Sequence, residues 1–136
     1  MFADLDFVTE NTGNIVVSAC PALIESSVEN EEFLWGYYLK IENNSNEKIQ
    51  LLSKNWNITD DKGNCFCDNS TGFKGELPEL EPGEYFEFSS TAPLCSAHAV
   101  FYGSCKIFAG NKKTVSEIKV PTFNLNADGG FFATVQ

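Results

Sequence analysis

Positive charge is scarce in this sequence: nine Lys and Arg stand against nineteen Asp and Glu, a formal net charge of −10 over 136 residues. A surface that acidic repels phosphate backbones, and no cluster of basic residues offsets it locally, so a nucleic-acid partner is not expected. Long apolar runs are missing as well. None approaches the roughly 20 residues that a membrane-spanning helix needs, so membrane insertion is not expected either. The opening Met1-Phe2-Ala3-Asp4-Leu5-Asp6 has neither the basic nor the apolar region of a secretory signal, which points to a cytoplasmic protein. Histidine occurs once, at His98. The five cysteines (Cys20, Cys65, Cys67, Cys95 and Cys105) are an odd number. Without a secretory signal they argue against a disulfide framework and read as thiols carried on strands. No stretch has the periodicity of an amphipathic helix.

What is present is a single domain's length and a large aromatic supply: twelve Phe, four Tyr and two Trp in a chain that is 43% hydrophobic. The stretch from Gln50 to Asp60 organises the rest. Apolar residues fall at Ile49 and Leu51, then at Leu52, Trp56 and Ile58. Both sets alternate with polar neighbours, but the parity switches between Leu51 and Leu52. An uninterrupted strand cannot switch parity, because its side chains alternate faces with period two. One extra residue can, and the sequence therefore predicts a β-bulge there. Asp60-Asp61-Lys62-Gly63-Asn64 then reads as a hairpin turn.

Further strands follow from the same alternation. Ile15 to Cys20 is β-branched, with Pro21 imposing an edge position or a bend. Phe33, Trp35, Tyr37, Leu39 and Ile41 form one apolar face over residues 33–43. Residues 65–67, 85–90, 99–108 and 114–125 complete the set, with Phe86 and Phe88 inward and Pro121 interrupting the last strand. Over residues 99–108, Phe101, Gly103, Cys105 and Ile107 share a face, and Gly103 leaves a gap for a neighbouring aromatic. Residues 25–32 and 68–75 read as loops on composition. Residues 1–14 read as an N-terminal arm, weakly ordered over 1–12. Residues 126–136, with Phe131 and Phe132, read as a tail that docks its two rings or stays mobile. The sum is an all-β sandwich of about seven antiparallel strands spanning 15–125, of the fibronectin type III or immunoglobulin-like kind.

Several segments together resemble the ApaG family of small bacterial proteins. They are Gln50-Leu51-Leu52-Ser53-Lys54-Asn55-Trp56-Asn57-Ile58-Thr59-Asp60, then Gly72-Phe73-Lys74-Gly75-Glu76-Leu77-Pro78-Glu79-Leu80-Glu81-Pro82-Gly83-Glu84, then Phe86-Glu87-Phe88-Ser89-Ser90, then Val120-Pro121-Thr122-Phe123-Asn124-Leu125. The resemblance implies a fibronectin type III-like sandwich. It also implies a link to cobalt resistance and magnesium efflux, and, through related domains in F-box proteins, a binding role. The family carries a Gly-x-Gly-x-x-Gly loop associated with pyrophosphate or nucleotide binding. Here the corresponding window begins with Ser70 in place of the first glycine and keeps Gly72, Lys74 and Gly75. No helix follows it to present amides to a phosphate; Pro78 and Pro82 do. Near the end, Cys105 stands where the family tends to have Tyr, and Phe101 where it tends to have Met.

Catalytic and metal chemistry find little support. Cys65 and Cys67 share one strand face, but zinc usually takes a second pair; His98, Cys95 and Cys105 would have to come close to supply it. Ser96 and Cys95 near His98 lack a nucleophile motif. Asp60, Asp61, Asp68 and Glu76 would have to gather at one end of the sandwich to hold Mg²⁺ or Co²⁺. The expected function is a non-enzymatic binding module without a cofactor. Its partner is a protein, met through exposed aromatics such as Tyr38 and Tyr85, and its long edge strands allow a homodimer. The alternative is a pyrophosphate- or nucleotide-binding or phosphatase-like protein using Ser70, Gly72, Lys74 and Gly75.

Overall fold

A computed structural model describes residues 7–27, 29–110 and 113–126. The described residues form nine strands and no helix: β1 (Val8–Thr12), β2 (Ile15–Ser27), β3 (Glu32–Asn43), β4 (Ile49–Asp60), β5 (Cys65–Thr71), β6 (Glu79–Leu80), β7 (Tyr85–Leu94), β8 (His98–Ala109) and β9 (Thr114–Asn126). Sheet A has the order β1-β2-β3-β7, and sheet B the order β5-β4-β8-β9, with the short β6 paired to the start of β4. Every pairing is antiparallel. The expected sandwich of about seven strands is present, and β1 and β6 are additional to it.

Strand β4 carries the predicted bulge. Leu51 faces Ile107 and Ser53 faces Lys106, which leaves Leu52 as the extra residue. Ile49 and Leu51 are buried before it; Lys54, Trp56, Ile58 and Asp60 are buried after it. A second irregularity lies in β9, where Phe123 faces Phe101 but Val120 faces Gly103. The buried parity shifts there from Ile118 and Val120 to Pro121, Phe123 and Leu125. Pro21 lies beyond the last partner β1 offers at Ala19, so among the described residues β2 has β3 alone beside it at that point.

Three expectations change. Residues 8–12, read as part of a weakly ordered arm, pair with β2 from Val8↔Ala19 to Thr12↔Ile15. The two-residue turn between them starts at Gly13 with φ +59°, the conformation that tight hairpins demand of their first turn residue. Residues 25–27 extend β2 past a bulge at Ile24 instead of forming a loop. Residues 68–71 likewise continue β5, which pairs regularly from Thr59↔Cys65 to Ser53↔Thr71. In both cases exposed polar strand ends have the composition of loops. The tail expected at 126–136 lies, past Asn126, outside the described residues.

The core is centred on Trp56, 1% exposed. Its ring lies 6.0 Å from Phe73, 5.8 Å from Phe88 and 6.2 Å from Phe101 between centroids. Phe101 in turn stacks on Phe123 at 4.6 Å and meets Tyr37 at 5.3 Å. The indole Nε1 donates to Tyr37 Oη at 3.3 Å, which satisfies a buried polar group across the two sheets. Gly103 lies opposite Trp56 on β8. A Cβ there would sit 2.2 Å from Asn55 O and 2.6 Å from Trp56 Cα, so the space beside Gly103 is filled by β4 itself.

Candidate functional site

Both aromatic interface candidates lie on the outward face of sheet A. Tyr38 and Lys40 project from β3 beside Tyr85 and Glu87 on β7, in the register Lys40↔Glu87 and Glu42↔Tyr85. Tyr38 Oη donates to Glu87 Oε2, and Lys40 Nζ lies 4.3 Å above the Tyr85 ring centroid. Phe7 meets Tyr38 edge-on at 5.7 Å. Partial burial, and then the Glu87 carboxylate that accepts its proton, raise the Tyr38 phenol above its ordinary value. The patch therefore places three rings, an ammonium and a carboxylate on one face, with Tyr85 54% and Phe7 46% exposed. Lys40 and Glu87, which hold the rings in place, were not singled out from sequence. Their signal was the outward parity they share with Tyr38 and Tyr85.

The window at 70–75 is the end of β5 and a tight turn. Ser70 is exposed on β5, where its hydroxyl donates to Asp68 Oδ1 at 2.8 Å. Gly72 N donates to Leu52 O at 2.7 Å, and Phe73 N to Glu76 O at 2.8 Å. Lys74 and Gly75 between them both have positive φ, 52° and 87°, the signature of a type I′ hairpin turn. Lys74 Nζ donates to Ser89 O at 2.8 Å and lies 5.3 Å from the Phe88 ring. Two of the loop's amides and its ammonium are thus engaged within the protein.

Beneath this turn lies a residue the sequence reading passed over. Lys54, the inward neighbour of Trp56 on β4, is 7% exposed. Its Nζ donates to Gly72 O at 2.6 Å and sits 5.2 Å from the Phe73 ring and 5.5 Å from the Phe88 ring. A buried ammonium needs such partners, and here they are a carbonyl and two ring faces. Its inward position follows from the parity after the bulge.

The four acids do not gather. Asp60 and Asp61 lie at the β4–β5 turn, Asp68 along β5 and Glu76 at the Lys74-Gly75 turn. Asp60 Oδ1 accepts the amides of Lys62 and Asn64 at 2.9 and 2.8 Å. Burial disfavours its charge, but the amides of Asn64 and Lys62 outweigh burial and hold its carboxyl below the ordinary aspartate value. Asp61 Oδ1 accepts the Ser96 hydroxyl, and that oxygen in turn accepts the amide of His98 at 3.2 Å. Among the described residues, no three His, Cys, Asp or Glu could hold a metal ion. Cys105 is buried, and burial pushes its thiol up to about 12, while Cys65, Cys67 and Cys95 are exposed. The concave feature of the molecule nearest these groups is a groove of about 520 Å³ across the ends of β4, β8 and β9. Thr59, His98, Tyr102 and Asn124 are among its lining residues. Thr59 and Tyr102 hydroxyls are hydrogen-bonded across it at 3.2 Å.

The sequence profile of the ApaG domain matches residues 24–109. The protein ApaG of Brucella anthropi is 39% identical over 117 residues, 85% of this chain and 89% of that protein. This chain belongs to the ApaG domain family. The ApaG protein of Brucella canis is 37% identical over the same length. A crystal structure from Bordetella pertussis, of a protein described as ApaA, superposes with a TM-score of 0.78 at 26% identity. It covers 84% of this chain and 94% of that one. The ApaG profile ends with β8, so β9, which completes sheet B here, lies beyond it. No helix among the described residues of this ApaG domain is long and apolar enough to cross a membrane.

Proposed function

We propose that this ApaG domain is a non-enzymatic binding module that engages a protein partner through the outward face of sheet A. The observation that carries the reading is the placing of Tyr38, Tyr85 and Phe7 on one face, with Tyr38 braced by Glu87 and Tyr85 by Lys40. Exposed rings held in place lose little side-chain freedom on binding, which is why Tyr anchors interfaces. The non-enzymatic reading is supported by the engagement of Asp60 with the amides of its own turn and of Asp61 with the Ser96 hydroxyl. A part in cobalt or magnesium handling, implied by the family resemblance, would then run through the partner, because among the described residues no three His, Cys, Asp or Glu gather to hold a metal ion. Five free thiols suit the reducing cytoplasm.

The test is comparative capture. Immobilised full chain, its Tyr85→Ala variant and the sheet-B control Tyr102→Ala are offered the same host extract. A partner retained by the parent and by Tyr102→Ala but lost by Tyr85→Ala supports the surface; equal recovery by all three removes it. Calorimetry with pyrophosphate, with and without Mg²⁺, distinguishes the alternative: binding heat abolished by Lys74→Ala would favour the loop at 70–75 instead.

A further inference from the structure

Strand β5 is the outer strand of sheet B, and its partner β4 covers only one of its edges. The pairing with β4 is regular along its length, so Cys65 and Cys67 project to the same side, away from the core. Phe66 between them turns inward and packs on the core, which fixes that orientation. Both thiols are exposed, in contrast to the buried Cys20 and Cys105. Cys65 Sγ donates to Asn57 Oδ1 at 4.0 Å, and Asn57 stands directly opposite Cys67 on β4. Cys65 and Cys67 occupy successive outward positions of β5, so they are neighbours along that face, and Cys65 beside it pushes the Cys67 thiol up. Two exposed sulfurs on the same strand face are therefore mounted on a paired backbone.

The donor count decides which cation such a pair suits. Zinc in a structural site takes four ligands, and magnesium and calcium take oxygens. Among the described residues no third His, Cys, Asp or Glu joins these two in a cluster able to hold a metal. Soft thiolates alone select the Cu(I) class, whose d¹⁰ ions accept two sulfurs in a line. The net charge of −10 raises the local concentration of any cation.

We propose that Cys65 and Cys67 form a two-coordinate site for a soft monovalent cation of the Cu(I) and Ag(I) class. One cation displaces two thiol protons and forms two metal–sulfur bonds. The site passes from two neutral thiols to a singly negative bis-thiolate complex, two protons go to solvent, and nothing is oxidised or reduced. The site is on sheet B and is independent of the sheet A surface.

The test is anaerobic titration of the reduced full chain with Ag(I), and with Cu(I) against a competing chelator, followed by the thiolate-to-metal ultraviolet band. One cation per chain is expected for the parent and for Cys95→Ser. Cys65→Ser and Cys67→Ser should each lose more than about 100-fold in affinity, beyond the loss that follows removal of an outer-shell partner. Retention of parental affinity by either variant overturns the proposal, as does an equal loss in Cys95→Ser. Should a serine variant fold poorly, alkylation of the parent followed by mass spectrometry replaces it. Bound Ag(I) should protect Cys65 and Cys67 while leaving Cys95 reactive; protection of Cys95 alone, or of none of the three, refutes the site.

Discussion

At Gly103 the chain has room for a hydrogen atom and nothing larger, because the atoms in the way belong to the β4 backbone at Asn55 and Trp56. Backbone cannot rotate aside as a side chain can. Gly103→Ala should therefore destabilise the fold by about 3 kcal/mol or more, the upper end of overpacking, read as a shift in the midpoint of urea unfolding with an unchanged slope. Lys54 is the opposite case, a residue whose chemistry rather than its smallness is needed. Lys54→Met keeps the apolar stem but leaves Gly72 O without its donor. The expected loss is about 1–3 kcal/mol by the same measurement. An unchanged midpoint would show that Gly72 O finds water instead.

The turn between β4 and β5 is built on Asp60, and its carboxylate gives the element a pH dependence. Asp60 has a lower affinity for protons in the folded chain than the ordinary aspartate near 3.9. Its stabilisation is fully present above about pH 3.9 and is lost as pH falls through the folded value, because the unfolded chain then binds the proton more readily. Thermal midpoints between pH 7 and pH 3 should fall more steeply for the parent than for Asp60→Asn. At this scale much was legible in the sequence. The Leu52 bulge was visible as a parity switch, and the hairpin as Asp60 to Asn64, since both leave a mark on neighbouring residues. The hairpin of β1 and β2 was marked only by Gly13-Asn14, and the exposed ends of β2 and β5 had no apolar alternation to report. The site was less readable. Tyr38 and Tyr85 could be placed on outward faces, but their sharing one face depended on the β3–β7 register. The enclosure of Gly72, Phe73 and Lys74 depended on contacts from Leu52, Glu76 and Ser89, distant in sequence from parts of the loop.

Over the whole molecule the two outward faces differ. Sheet A presents rings with an ammonium and a carboxylate, and sheet B presents hydroxyls, amides and thiols. The Tyr38 phenol is held neutral by partial burial and by Glu87. That contribution is complete below about pH 10, the phenol's ordinary value, and disappears as pH rises beyond it, since the unfolded chain ionises first. Tyr38→Phe should flatten the alkaline decline in thermal midpoint, leaving the part due to Tyr37, which burial also raises. The buried bond from Lys54 to the carbonyl of Gly72 has a kinetic corollary for the turn above it. Although Lys74 and Gly75 lie at the surface, the amides of Gly72 and Phe73 should exchange with deuterium almost as slowly as those beside Trp56, because releasing them requires the whole sandwich to open.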